Sequence, residues 1–156
     1  MEHAREYTIS VLKDLLNLCR EEHTLFNSAK EKIEDNSIKQ TFLKCANEKA
    51  GIINKIENEI IRLGGSIEDL EKEIVIEQDL PSNNKSNGEQ EKFVHYCLEK
   101  DMITLNRYST AMNEDIMWEV VPLIAKQYFD SKNLHDKILF NCVQNQRPNM
   151  LLGNAS

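Results

Sequence analysis

The chain has 156 residues, the length of one domain, and its composition of 40% hydrophobic and 29% charged residues is that of a globular protein with a substantial core. A formal net charge of -7 at pH 7, with no basic cluster, argues against binding to nucleic acid or to an anionic membrane surface. No apolar run approaches the roughly 20 residues of a membrane span, and the first residues are charged and polar, so we expect a cytoplasmic protein. The four cysteines form no Cys-x-x-Cys pair, which favours buried thiols over a zinc knuckle or a redox motif.

The first half of the chain is predicted to form a helical hairpin. Apolar residues recur at steps of three and four over residues 8–34, which predicts an amphipathic helix with a broad buried stripe. Ser37 followed by Gln40 has the spacing of a capping box for a second helix. That helix should run to Leu63 and end at a Gly-Gly pair that can supply a left-handed cap. The short turn between the two helices predicts that they are antiparallel.

A long linker, residues 64–88, separates this hairpin from the rest, and its second part has loop composition throughout. A helix of about 26 residues is about 40 Å long at ~1.5 Å per residue, and the linker can return over that distance. We therefore expect a crossover that places the second and third helices parallel. Ferritin-like bundles have one such crossover, whereas simple up-down-up-down bundles have short loops throughout.

The second half is predicted to form another hairpin. The third helix carries apolar residues at alternating steps of four and three, and Asp101 falls on the same seam. The fourth helix should extend over about residues 115–139, and Pro122 should either kink it or mark where its regular part begins. Residues 144–156 show no periodicity and are interpreted as a flexible tail. The predicted fold is thus all-α, with one four-helix bundle over residues 1–143.

Polar residues on the apolar seams are the candidate site. They lie on four different predicted helices and are Glu22, Glu48, Asp101 and Gln127. A buried carboxylate is costly unless it is paired, protonated or bound to a metal, so these positions need partners. Lys49, Lys55, Asn106, Gln127 or a bound ion could serve as these partners. We expect the four seam residues to converge on one polar layer that is a candidate metal site; the other reading places the acids at the edge of the stripe, with their heads in water or in interhelical hydrogen bonds.

The motif of a di-iron or dimanganese bundle is missing. Such a site takes a Glu from each of two helices and a Glu-x-x-His pair from each of the other two. Here Glu48 is followed at that spacing by Gly51, and Gln127 by Asp130. His135 lies eight residues after Gln127 and is expected to reach only a different layer of the bundle. The seams therefore predict no oxidising di-iron pair, while a single divalent ion stays allowed.

Short motifs along the chain carry a family resemblance. They are Leu12-Lys13-Asp14-Leu15-Leu16-Asn17, Phe26-x-x-Ala29, Cys45-Ala46-Asn47-Glu48-Lys49, Arg62-Leu63-Gly64-Gly65, Cys97 through Asp101, Tyr108-x-x-Ala111, and Gln127 with His135-Asp136. Over roughly residues 8–140 the chain resembles a bacterial family of ferritin-like four-helix-bundle proteins of unknown function. The resemblance implies the ferritin-like fold and a stress-associated or housekeeping role, and it does not imply iron storage or ferroxidase activity. Leu98 stands where that family tends to have an acidic residue, which removes a carboxylate from a shared polar layer.

Three functional hypotheses follow. The first is a non-enzymatic bundle that acts through contacts with a protein partner or through self-association. The second is a metal-binding bundle with a carboxylate-rich site from Glu22, Glu48 and Asp101, completed by Gln127. The third is a small-molecule carrier that uses the space between the hairpins, with Tyr108 and Tyr128 as polar groups in an otherwise apolar interior. No glycine-rich phosphate loop or nucleophile elbow is present, so no catalytic residue is predicted, and a divalent metal ion is the one cofactor under consideration.

Overall fold

The computed structural model describes residues 2–68 and 87–155, with side chains for residues 2–68 and 88–142. Its helices are α1 Glu2–Asn27, α2 Ala29–Lys32, α3 Asn36–Arg62, α4 Asn87–Met112 and α5 Val121–Ala155. The described ranges contain no strand. The prediction of an all-helical bundle is confirmed, with four long helices and the single turn α2 after α1.

Both ends of α3 are fixed by local hydrogen bonds. At its start, the Asp35 side chain accepts from the backbone N–H of Ile38 at 2.9 Å. Asp35 is therefore the N-cap, and the predicted capping box at Ser37 is wrong because Ser37 already lies inside the helix. At its end, Gly64 adopts a left-handed φ of 89° and its N–H bonds to the carbonyl of Ile61 at 2.9 Å. The predicted glycine cap is confirmed.

The last helix differs from its predicted bounds at both ends. It begins at Val121, so Pro122 stands in its first turn, where a missing N–H removes no helical hydrogen bond. At the other end, the helix includes residues 144–155 of the segment predicted to be a tail. Periodicity reports on a buried stripe, so an aperiodic segment can still have a helical backbone.

Neighbouring helices in the bundle are antiparallel. Helix α1 packs against α3 and α4, and α5 packs against the same two helices. The contacts are Arg20 to Glu57 and Glu22 to Lys49 between α1 and α3, Asp14 to Arg107 and Glu22 to Thr104 between α1 and α4, Thr41 to Asn141 and Ile52 to Gln127 between α3 and α5, and Asp101 to His135 and Tyr108 to Gln127 between α4 and α5. Residue numbers rise on one helix as they fall on its neighbour. The predicted crossover path through residues 69–86 lies outside the described residues.

The core consists of two hydrophobic clusters at different heights along the bundle. The first contains leucines of α1 and isoleucines of α3 and α5, including Leu12, Leu15, Ile56, Ile60 and Ile124. The second is aromatic at its centre and includes Phe26, Phe42, Phe93, Leu134 and Ile138. Its Phe26 and Phe42 rings meet edge to face, with centroids 5.5 Å apart. Between the two clusters, the seams of the four long helices carry polar side chains.

Candidate functional site

A layer of charged and hydroxyl side chains divides the two core clusters. Its members come from all four long helices and are Glu22, Lys49, Asp101, Thr104, Ser131 and His135. We call these six residues the charged layer. Lys49 is fully buried, and Glu22 and Asp101 are at most 2% exposed. Charged groups are almost never buried so completely unless they are paired, so the layer must satisfy its own electrostatics.

The Lys49 ammonium lies at the centre of the charged layer. Its Nζ is 3.0 Å from Glu22 Oε2 and 3.8 Å from Asp101 Oδ1. It also donates a hydrogen bond of 3.4 Å to Ser131 Oγ. One cation from α3 therefore contacts side chains from each of the other three long helices.

The outer side of each carboxyl group is held by an uncharged neighbour or by an imidazole. Thr104 donates to Glu22 Oε1, and His135 Nδ1 lies 2.7 Å from Asp101 Oδ2. The inner oxygens, Glu22 Oε2 and Asp101 Oδ1, have no aligned hydrogen-bond donor even though both are within ion-pair distance of Lys49. The attraction between the ammonium and the Asp101 carboxylate therefore depends on distance and low dielectric constant rather than on hydrogen-bond direction.

Burial and proximity set the protonation of the charged layer. Burial raises the pKa of Glu22 to about 8, and the adjacent Asp101 adds to this while Lys49 opposes it. Burial also acts to raise the pKa of Asp101, but the His135 hydrogen bond and the Lys49 charge hold it below its ordinary value. The two carboxyls in turn raise the pKa of Lys49 although burial opposes its charge. At neutral pH the layer thus contains one ammonium, one carboxylate and one carboxylic acid, so these three groups carry no net charge.

One helical turn away, a second polar layer is made of uncharged groups. The Tyr108 hydroxyl donates to Gln127 Oε1 at 2.9 Å, and Gln127 Nε2 donates to the backbone carbonyl of Ile52 at 3.4 Å. Cys19 Sγ lies 3.5 Å from the Tyr108 hydroxyl. We call Cys19, Tyr108, Gln127 and the Ile52 carbonyl the neutral layer. Each of its members is three or four residues from a charged-layer residue on the same helix.

The structure brings two of the four predicted site residues together. Glu22 and Asp101 are buried and meet across Lys49. Gln127 is buried too, but it belongs to the neutral layer, so the expectation of one common layer is wrong for this residue. The expectation that Glu48 faces inward is also wrong, because Glu48 is exposed. The proposed metal role of these residues stays a prediction.

The error at Glu48 has a geometric cause. Glu48 and Lys49 both lie three or four residues from Cys45 and from Ile52, so each fits a helical seam locally. Only Lys49 continues the strict alternation of steps of four and three that includes Phe42, Cys45, Ile52 and Ile56. The carboxylate at position 48 is turned by about 100° from the core, and the adjacent lysine takes the inward position.

Four members of the charged layer were not among the predicted site residues: Lys49, which was considered only as a partner, and Thr104, Ser131 and His135. Thr104 and Ser131 stand three and four residues after the predicted Asp101 and Gln127, so the same seam pattern indicates them. His135 and Gln127 do lie in different layers, as their spacing requires. The spacing of residues within α5 does not give the position of α4 along the bundle axis. That position places Asp101 next to His135.

A metal ion in a protein is held by several side-chain donors that converge on one point. In the part of the chain with described side chains, no three His, Cys, Asp or Glu residues are placed to hold one metal. The chemical reason at the charged layer is that the inner carboxyl oxygens already face an ammonium. A cation entering between Glu22 and Asp101 would have to displace Lys49.

Comparison with protein-family models and with curated proteins finds no match for this chain. The ferritin-like resemblance therefore stays a prediction. Among the described helices, none combines the length and the apolar character that crossing a membrane requires. Function is accordingly argued from the geometry of the bundle.

Proposed function

We propose that this protein is a non-enzymatic, ferritin-like helical bundle that acts through contacts with a protein partner or through self-association. In this proposal the charged layer is a structural network rather than a reaction centre. The observation that carries the proposal is the fully buried Lys49 ammonium, 3.0 Å from Glu22 and 3.8 Å from Asp101.

Charge explains why Lys49 argues for a structural role. A two-metal site in a bundle is held by about four carboxylates and two imidazoles. The charged layer offers two carboxyls and one imidazole, and a lysine contributes the positive charge between them. Because the pKa of Lys49 is raised, this ammonium stays charged at neutral pH and competes with any divalent ion for the same oxygens.

We infer that the bundle also has the predicted crossover. The support is that α3 and α4 each run antiparallel to α1, so they run in the same direction. In addition, Gln90 near the start of α4 accepts from the backbone N–H of Glu34 and of Asp35, at 2.9 and 3.0 Å, just before the start of α3. On this account α3 and α4 begin at the same end of the bundle, which is the arrangement that a crossover requires.

Exposed aromatic side chains support the contact role. Trp118, in the turn between α4 and α5, is 83% exposed, and Phe129 and Phe140 on α5 are 62% and 58% exposed. Large aromatic residues are enriched at the centres of protein interfaces because they bury much area with few rotatable bonds. Their exposure is consistent with a surface that a second protein or a second copy covers.

The alternative is a metal-binding bundle with a degenerate carboxylate-rich site. Its one favourable observation is His135, which places an imidazole 2.7 Å from Asp101. This alternative requires the Lys49 side chain to leave the layer. The carrier hypothesis has less support, because the Tyr108 hydroxyl is already bonded to Gln127.

Metal loading and mass measurement together test the proposal. Metal-free protein is incubated aerobically with Fe²⁺, Mn²⁺ or Zn²⁺, exchanged into metal-free buffer, and analysed for bound metal and for oxygen-dependent iron oxidation. We expect no stoichiometric metal and no oxidation above the protein-free rate. Sedimentation velocity over a wide concentration range then separates self-association from a monomer that needs a partner. Retention of about two irons per chain with rapid oxidation would overturn the proposal.

A further inference from the structure

A groove runs between α3 and α5 on the outside of the bundle. Its main part has a volume of about 400 Å³ and a floor formed by Gly51, Ile52, Leu123 and the buried Gln127. A second part of about 190 Å³ continues it past Leu134 and is lined there by Phe140 and Asn141. The two parts share Glu48, Leu134 and Lys137.

The groove is elongated rather than compact. Along α3 it is lined from Thr41 to Lys55, which is about 20 Å at ~1.5 Å per residue. A segment of about six extended residues, at ~3.3 Å each, has this length. The shape therefore fits a short peptide segment better than a single small ion.

The walls of the groove have a positive charge in a chain that is negative as a whole. Its lysines are Lys44, Lys55, Lys126 and Lys137, and its acids are Glu48 and Asp130. Lys126 pairs with Asp130 at 3.3 Å. Within the described part of the chain, no ion pair engages the other three lysines. The groove thus has uncompensated cations, whereas the chain has a net charge of -7.

Gly51 opens the centre of the groove. Glycine is less favourable than alanine in a helix interior, and α3 carries Gly51 near its middle. A Cβ built at this position meets no atom within 4 Å, so the packing of this chain does not require a glycine there. The missing side chain instead leaves room above Ile52 and Gln127 for a group from outside the chain.

We propose that the groove between α3 and α5 binds a short acidic peptide segment of a partner protein. Its carboxylates pair with Lys55 and Lys137, and an apolar side chain between them lies over Gly51 against Ile52. This inference rests on the proposed function, which is action through protein contacts, and it identifies the chemistry of the partner. Nucleic acid fits less well, because Glu48 and Asp130 line the same walls and the net charge of the chain repels phosphates.

The test begins with a phage-displayed library of random ten-residue peptides selected on the immobilised full chain. Enriched peptides are synthesised with a fluorescent label, and their dissociation constants are measured by anisotropy at physiological salt. We expect enrichment of peptides that combine several Asp or Glu residues with Leu, Ile or Phe. Enriched peptides without an acidic excess, or no enrichment above an unrelated helical protein, would overturn the proposal.

Matched variants locate the binding site. Lys55→Glu with Lys137→Glu should weaken an enriched peptide at least about tenfold, whereas Lys39→Glu with Lys132→Glu makes the same change of net charge outside the groove and should leave binding within about twofold. If both double variants weakened peptide binding equally, the attraction would be a general effect of net charge, and the proposed binding site in the groove would be wrong.

A steric pair provides a second test. Gly51→Leu fills the groove and should weaken the peptide about tenfold without loss of thermal stability, because its Cβ meets open space. Gly88→Leu, where a Cβ also meets nothing, should leave binding unchanged. Unchanged binding in Gly51→Leu would overturn the proposal.

The groove and the proposed function can fail separately. If no peptide binds but the wild type self-associates without binding metal, the groove proposal fails and the proposed function stands. If the protein binds stoichiometric metal and oxidises iron, the proposed function fails whatever the result of the peptide selection.

Discussion

The charged layer and the neutral layer are built from the same four helices and differ by one helical turn, yet they satisfy burial in different ways. In the charged layer a lysine compensates two carboxyl groups, and hydrogen-bond alignment at the inner oxygens is poor. In the neutral layer, Tyr108 and Gln127 form a chain of hydrogen bonds that ends on a backbone carbonyl. Polar groups can therefore be buried on a bundle seam either as balanced charges or as hydrogen-bonded neutral groups. The charged layer and the neutral layer should differ in how much stability is lost when one side chain is removed.

The largest expected effect is that of Lys49→Met, which keeps much of the volume and removes the charge. It removes the cation beside the buried Asp101 carboxylate and leaves that carboxylate with His135 alone, so we expect the free energy of unfolding at pH 8 to fall by about 3–5 kcal/mol. Urea denaturation measures this change. Lys44→Met, at an exposed position of the same helix, should stay within about 0.5 kcal/mol. A loss below about 1 kcal/mol in Lys49→Met would mean that the carboxyls do not depend on this cation.

The next effect concerns pH and follows from Glu22. An unfolded glutamate ionises near 4.5, whereas folded Glu22 keeps its proton until about pH 8. Between these values folded Glu22 binds the extra proton, so its contribution to the stability of the wild type falls as pH rises, by at most ~1.4 kcal/mol per pH unit. Glu22→Gln removes this titration. The difference in unfolding free energy, variant minus wild type, should therefore increase from pH 5 to pH 8 and then level off.

Unfolding curves of wild type and Glu22→Gln at half-unit pH steps check this expectation. Glu48→Gln is the control, because that carboxyl is exposed and its loss should leave the wild-type profile in place. Parallel profiles for wild type and Glu22→Gln would show that Glu22 is ionised throughout, and the protonation assigned to the charged layer would be wrong.

In the neutral layer the expected loss is smaller. Tyr108→Phe removes the hydroxyl that donates to Gln127 and leaves that amide oxygen without its donor. A buried neutral acceptor that loses its partner costs about 1–3 kcal/mol, so the variant should lose less stability than Lys49→Met. Tyr128→Phe, at a half-buried position on α5, should have little effect. If Tyr108→Phe and Lys49→Met were equally destabilising, the distinction between the two layers would fail.

The smallest effect is expected for Glu48→Ala. The side chain is exposed, and alanine is a better helix former, so the free energy of unfolding should change by less than about 0.5 kcal/mol. Thermal and urea unfolding measure it. A loss above about 1 kcal/mol would indicate that the Glu48 side chain is buried.

The sequence predicted the seams well because a helix repeats every 3.6 residues and buried positions recur with that period. Glu22 and Asp101 were identified in this way, and both are buried. The same rule left Glu48 and Lys49 equally placed beside Cys45 and Ile52, and only the longer alternation along α3 separates them. Periodicity therefore predicts which stripe is buried more securely than which of two adjacent residues belongs to it.

The pairing between helices could not be read from any one of them. Asp101 and Gln127 were assigned to one layer, but the register of α4 against α5 sets Asp101 beside His135 and Gln127 beside Tyr108. The turn between Met112 and Val121 joins these two helices, and its own Ile116 and Val120 are buried in the first core cluster. The register between two helices is set by how the assembled core packs, so the residue pattern within one helix does not predict it.

The most direct test of the account is the charge state of the Lys49 side chain, observed by ¹⁵N NMR of protein with labelled lysine and assigned with Lys49→Arg. We expect an ammonium signal whose protons exchange slowly with water and which stays charged at pH 10.5, where an ordinary lysine is half deprotonated. A Lys49 amine that is neutral at or below that pH, or an ammonium that exchanges as fast as the surface lysines, would contradict the claim that a buried cation holds the two carboxyls together.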